Sequence, residues 1–233
     1  MGTEERKERE KERRRNTIVD AAEKVIFSKG LEQSTMEEIA EEAELSKGTL
    51  YLYFKNKNEL YMAIVERGSD MLNSKFSKIF AEDRTGLELI RKMGKTYLDF
   101  VREHPNYFNA FMYYESHQDV EELKESEMAQ TCEDNVSEAM TFMVRALQIG
   151  MQDGTIDPSY DPRELAIMIW ASTRGITTVQ HMKKKGHHFK MLDDMEIETS
   201  SLFENFLHLL GNGMATEKAR NDEVTESHKG VTK

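Results

Sequence analysis

An all-α fold is what this sequence predicts, and three observations lead there. Only three prolines interrupt 233 residues, and Glu, Lys, Met and Leu, all strong helix formers, are frequent. Apolar residues recur at three- and four-residue intervals through each long stretch, the period of a helix. Nothing reads as a series of regularly spaced strands. A chain of this length can bury one substantial core plus a smaller one. The expected arrangement is a small N-terminal helical unit followed by a larger helical bundle.

Residues 1–15 (MGTEERKEREKERRR) hold seven basic and five acidic residues and almost nothing apolar. They read as a solvated charged arm or as a frayed extension of the next helix. A sharper alternative has Arg13, Arg14 and Arg15 reaching phosphates or a minor groove. From Asn16 to Lys29, Ile18, Ala21, Ala22, Val25 and Ile26 follow helical spacing, and Gly30 is the expected stop.

The run Thr35-Met36-Glu37-Glu38 puts a threonine at an N-cap and a glutamate three residues on, the pattern of a capping box. Met36, Ile39, Ala40 and Ala43 then share one face. Ser46 caps a third helix expected to reach about Tyr53. A fourth opens near Asn56, with Glu59 in the same capping relation, and continues past Leu60, Ile64 and Met71.

Ile90, Met93, Tyr97, Phe100 and Val101 form the next stripe, which stops before Pro105. An aromatic segment follows, from Tyr107 to Tyr114. Met128, Cys132, Val136, Met140, Met143, Leu147 and Met151 make a long stripe that ends at the Asp153-Gly154 turn signal. Asp161-Pro162-Arg163-Glu164 is a strong helix start, and that helix fades by Lys183–Gly186. The last helix is expected around Glu196–Leu210, and residues 212–233 read as a polar, disordered tail.

Charge is distributed unevenly. The net charge is -11; residues 1–60 carry 12 basic and 14 acidic residues, and the remainder carries 20 and 29. Within that acidic chain, Leu45–Asn58 (LSKGTLYLYFKNKN) contains no acid and three lysines, interleaved with aromatic and hydroxyl side chains. Such a surface fits a polyanion, and double-stranded DNA is the expected partner. A helix over about Thr35–Glu42, a turn through Ala43–Leu45 and a helix opening at Ser46 have the spacing of a helix-turn-helix. Lys47 and Thr49 project from the first turn of the second helix, Gly48 lets backbone approach DNA closely, and the hydroxyls of Tyr51 and Tyr53 suit phosphate oxygens. Leu50 and Phe54, four apart, are expected to face inward.

Residues 35–60 (TMEEIAEEAELSKGTLYLYFKNKNEL), with Asp20–Gly30 (DAAEKVIFSKG) before them, resemble the N-terminal DNA-binding domain of the tetracycline-repressor (TetR) family. The resemblance covers roughly residues 14–62. It implies an all-α homodimer with three small helices for DNA and about six longer ones for ligand binding and dimerisation. It also implies a one-component repressor that leaves a palindromic operator when a small molecule binds. By position, Thr35 would contact phosphate. Ser46, Lys47, Gly48, Thr49, Tyr51 and Tyr53 would form the recognition surface, and Lys55 and Lys57 would add backbone contacts. One departure is Glu44, where many members have glycine, so the turn lacks a residue suited to positive φ. The corresponding domain reading is a charged arm (1–15), a helix-turn-helix domain (16–60), a helical regulatory and dimerisation domain (61–211) and a tail (212–233).

In the bundle, aromatic residues and 15 methionines read first as core. The functional alternative is an adaptable apolar cavity lined by Tyr97, Phe100, Phe108, Met112, Met140, Met143 and Trp170, with Thr173, Arg174 and Thr177 as polar contacts. A mainly apolar effector, neutral or cationic, is expected there. Leu202, Phe203, Phe206, Leu209 and Leu210 cover more of the last helix than one packed face needs, which points to pairing with a second copy. The single cysteine, Cys132, permits neither an internal disulfide nor a cysteine zinc finger. His187 and His188, beside Lys183–Lys185, have no metal-ligand spacing, so neither metal nor cofactor is expected. No nucleophile or phosphate-loop motif points to an enzyme. No apolar run is long enough to span a membrane, so a cytoplasmic protein is expected. The rival in another class is a helix-turn-helix protein without a small-molecule ligand, architectural or partner-dependent.

Overall fold

Helix α1 runs unbroken over Thr3–Lys29, so the charged arm continues the first helix. Its opening turns have no apolar face. Opposite charges three or four residues apart line them instead, as in Lys11–Glu8 at 3.8 Å and Arg14–Glu10 at 3.7 Å. Exposed pairs of this kind contribute a few tenths of a kcal/mol each, about 0.2–0.5. From Ile18 onward the helix gains a core face, and Ile18, Val19, Ala21, Ala22 and Ile26 are buried. Gly30, at φ 88°, ends it. The computed structural model describes residues 2–116, 127–184 and 199–220.

Eight further helices follow among the described residues: α2 (Met36–Glu42), α3 (Lys47–Tyr51), α4 (Lys57–Ile79), α5 (Gly86–Glu103), α6 (Pro105–Ser116), α7 (Glu127–Asp153), α8 (Pro162–Lys184) and α9 (Thr199–Met214). The capping box of α2 forms as its residues dictate, with Thr35 and Glu38 exchanging side-chain and backbone bonds. Ser46 caps α3 by accepting from the Thr49 amide at 3.1 Å. That helix closes two residues earlier than its apolar pattern suggested. The amides of Leu52 and Tyr53 donate three residues back, to Thr49 and Leu50, and this tightening ends the α-helical ladder.

Two compact units make up the chain. The first comprises Met1–Asn73 and Phe100–Ser137. Its core gathers Ile18, Ile39, Leu50, Phe54, Leu60 and Ile64 with Ala110 and Tyr114 of α6 and Ala129 and Cys132 of α7. Tyr107 of α6 donates to Glu23 at 2.7 Å, and Tyr113 donates to Glu32 at 3.1 Å. Arg67 joins Asp20 (2.7 Å) and Glu23 (3.1 Å) from α4. Residue 60 is therefore not a seam, since Leu60 and its successors Tyr61 to Val65 are buried in this same core.

The second unit comprises Ser74–Asp99 and Glu138–Lys233. At the start of α5, Gly86 lies so close to Gly150 of α7 that a Cβ on it would fall within the Gly150 backbone. The Asp153 carboxylate accepts from the Gly86 amide at 2.8 Å and from the Thr155 amide at 2.9 Å. Ile156 pairs with Ala215 in an isolated antiparallel bridge. Met214 and Ala215 are buried and a last helical turn covers residues 217–220, so the first part of the expected tail packs on the fold. Residues 221–233, and His187, His188 and the lysine at 185, lie outside the described residues.

Candidate nucleic-acid interface

The turn between α2 and α3 is built without glycine. Glu44 takes φ 55°, the one positive-φ non-glycine among the described residues. Around it the Leu45 amide donates to Ala40 at 2.9 Å and the Glu44 amide to Glu41 at 3.0 Å. These two bonds make a Schellman motif, in which the left-handed residue is usually glycine. The turn thus has the geometry of a glycine-bearing one, with the strain carried at Glu44.

That turn presents α3 with a polar face outward. Leu50 and Phe54 are buried, as their spacing requires, and Ser46, Lys47, Gly48 and Tyr51 are exposed. Ser46 and Thr49 share a hydroxyl hydrogen bond at 2.8 Å, and Thr49 is half-buried. The Lys47 ammonium lies 5.9 Å from the centre of the Tyr51 ring and pairs with the Glu37 carboxylate of α2. Their hydrogen bond raises the Lys47 pKa and lowers that of Glu37, with coulombic attraction acting the same way. Thr35 is exposed, and its hydroxyl is engaged with Glu38 at 2.9 Å. Tyr53 is half-buried against the core of the first unit.

The two lysines that follow differ. Lys55 is exposed over 86% of its side chain, with Glu59 at 3.8 Å. Lys57 instead turns back to the α1–α2 loop, where its ammonium donates to the carbonyls of Leu31 (2.9 Å), Glu32 (3.1 Å) and Ser34 (3.4 Å). Lys57 was expected to bind phosphate; the structure uses its charge to close that loop. Two residues of this face escaped the sequence reading. Glu37 sits ten positions from Lys47, and only the turn geometry brings them together. Leu52, 84% exposed, follows Leu50 by two positions, and its outward direction was the available signal.

The ten residues expected to line an effector cavity are divided. Phe100, Phe108 and Met112 belong to the first unit, where Phe100 packs against His104 (5.1 Å) and Tyr107 (6.5 Å). Tyr97, Met140, Met143, Trp170, Thr173, Arg174 and Thr177 belong to the second. There Tyr97, Arg174 and Thr177 come together. Burial raises the Tyr97 phenol, while its hydrogen bond with Thr177 and the Arg174 charge act the other way. Burial likewise lowers the Arg174 guanidinium. Trp170 lies on the exposed side of α8 with Ile167 and Met168.

The residues of the expected pairing face differ in exposure. Phe203 is fully buried within the second unit, its ring 6.2 Å from both Tyr97 and Phe206, and is closed to any partner. Leu209 is 73% exposed, and Leu202, Phe206 and Leu210 are half-buried. No described helix is long and apolar enough to cross a membrane.

Comparison with known proteins adds to this geometry. The family model for bacterial regulatory proteins of the tetR family matches residues 18–64, and that for the tetracyclin repressor-like C-terminal domain matches residues 90–208. An HTH-type transcriptional regulator of Haemophilus influenzae is 35% identical over 99 residues, 42% of this chain and 53% of that protein. The chain therefore aligns with about half the length of that relative. The fatty acid metabolism regulator protein of Bacillus subtilis is 23% identical over 199 residues, 84% of this chain and 93% of that one. A solved structure of the transcriptional regulator FadR from Bacillus subtilis, in complex with stearoyl-CoA, superposes with a TM-score of 0.62 at 23% identity. That match covers 85% of this chain and 98% of the other and shows likeness of fold.

Proposed function

The chain belongs to the tetR family of bacterial regulatory proteins, and from that premise we propose a homodimeric one-component repressor that binds a palindromic DNA operator and is released by a small, mainly apolar effector. Members of this family are transcriptional regulators, and the reading assigns the chain no catalysis. The observation that carries it is the α2–turn–α3 geometry, which leaves Ser46, Lys47, Gly48 and Tyr51 open on one face while Leu50 and Phe54 anchor it from behind. Lys55 adds a solvated cation at the edge of that face.

Two copies of such a face suit an operator whose half-sites lie about 34–36 Å apart. Apolar residues on two helices support pairing of two copies: the exposed Ile167, Met168, Ala171 and Gly175 share one side of α8, and the half-buried Leu202 and Phe206 with the exposed Leu209 share one side of α9. For the effector, Tyr97, Arg174 and Thr177 supply a polar anchor beside the Phe203 and Phe206 rings, suited to a ligand with an apolar body. The fold it shares with a regulator that holds stearoyl-CoA makes that thioester a compound to try beside neutral or cationic apolar ones.

The reading is tested by selecting binding sites from a random duplex library with the purified protein. The expected outcome is an inverted repeat with half-sites one helical turn apart, and release of that site by an apolar compound found in a thermal-shift screen. Failure to enrich any sequence overturns the DNA assignment. Enrichment with no releasing compound favours the ligand-independent rival.

A further inference from the structure

An acid on a DNA-facing surface is repelled by phosphate, and Glu37 is such an acid. It leaves Thr35 and Glu38 to cap α2 and reaches across to Lys47 on α3. Both side chains of the pair are more than half exposed. The ion pair therefore sits in solvent on the recognition face, where it contributes little to stability. Its effect is on what Lys47 can do. Paired with Glu37 and lying over the Tyr51 ring, the ammonium has to leave these partners to meet a phosphate.

Resting on the DNA-binding reading above, we propose that Glu37 is a specificity-determining residue, which suppresses binding to non-cognate DNA by holding Lys47 and by repelling backbone. The discrimination follows from the chemistry of a carboxylate, which accepts hydrogen bonds and donates none. On a cognate site an amino group, cytosine N4 or adenine N6, meets the carboxylate in the major groove, and Lys47 is released to DNA. On other sequences the carboxylate faces acceptors or phosphate, and the contact costs affinity. This is selection by penalising the wrong partner.

The test compares wild type with Glu37→Gln, which keeps the shape and loses the charge, and with Glu37→Ala as a second variant. Helical content and thermal midpoint establish that each is folded, and the Thr35–Glu38 capping box of α2 is made without Glu37. Binding is measured to a random-sequence duplex and to the site selected by the wild-type protein, over a range of salt concentrations. Glu37→Gln is expected to bind the random duplex about five- to tenfold more tightly near 0.1 M salt, with a salt slope steeper by about one. Its preference for the selected site should fall by a comparable factor. In a Lys47→Met background the same substitution should give a clearly smaller gain in random-duplex affinity, because only the repulsion of backbone is left to remove and the cation it frees is gone. Unchanged random-duplex affinity, or equal gains on both duplexes, overturns the proposal. A wild-type protein that enriches no site overturns instead the DNA-binding reading beneath it.

Discussion

Lys55 and Lys57 stand two positions apart and meet different surroundings. Lys57 satisfies three carbonyls of the α1–α2 loop, so Lys57→Ala should lower stability by about 1–2 kcal/mol, read as a shifted urea midpoint. Lys55→Ala should leave that midpoint alone and flatten the salt dependence of DNA binding by about one unit of slope. Equal effects of the two substitutions on stability would refute the distinction. Glu44 invites the opposite kind of change. Its φ of 55° costs an L-residue about 1 kcal/mol or more, while glycine adds disorder to the unfolded chain, so Glu44→Gly should stabilise by a few tenths, up to about 1 kcal/mol. A destabilised Glu44→Gly protein, measured by the same denaturation, would mean that the glutamate side chain contributes something its exposure does not suggest.

The helices were largely legible from the residues, because caps are local. Thr35 with Glu38, Ser46 with Thr49, and Asp161 with Arg163 and Glu164 bond within three positions, and each does so in the structure. Crossings between helices were not legible, because they depend on which small residues meet. Gly86 and Gly150 allow α5 and α7 to touch backbone to backbone. Gly86→Ala should accordingly cost about 2–3 kcal/mol in urea denaturation, since no flexible side chain can yield to the added methyl. The contact of α7 with α4 carries a titratable group, Cys132, whose sulfur lies 3.8 Å from the Met62 carbonyl. Burial, reinforced by the charges of Glu66, Asp70 and Glu133, pushes this thiol up to about 12. Unfolded, it ionises near pH 8.5–9 (roughly the free-thiol value), so the stabilisation is complete below that pH and is lost as pH rises toward about 12. Cys132→Ala should show a shallower loss of stability between about pH 9 and 12. Identical alkaline profiles for the two proteins would remove the thiol from that account.

At the scale of the molecule, the apolar residues of α8 and α9 serve two surfaces, and periodicity alone did not separate them. Phe203 faces the interior of its own unit, whereas Ile167 and Leu209 face outward. Ile167→Glu with Leu209→Glu should therefore yield folded monomers with much weakened operator binding, as judged by sedimentation. A double variant that stays dimeric would place the pairing face elsewhere. Phe203→Ala, by contrast, should destabilise the fold by about 3–5 kcal/mol. The helix-turn-helix geometry of α2 and α3 was the most legible part of the chain, since its residues lie within one short run. The residues expected to line an effector cavity come from helices far apart in sequence and fall in different units, which no local pattern of residues reveals. The bonds from Tyr107 to Glu23 and from Tyr113 to Glu32 bear on how such a protein can be re-engineered. Residues 1–60 are not an interchangeable cartridge: cut free, they lose the contacts that Tyr107 makes with Phe27 and Glu23 and that Tyr113 makes with Glu32. A chimaera that swaps reading heads between relatives would inherit an unmatched joint unless acids at positions 23 and 32 travel with tyrosines at 107 and 113.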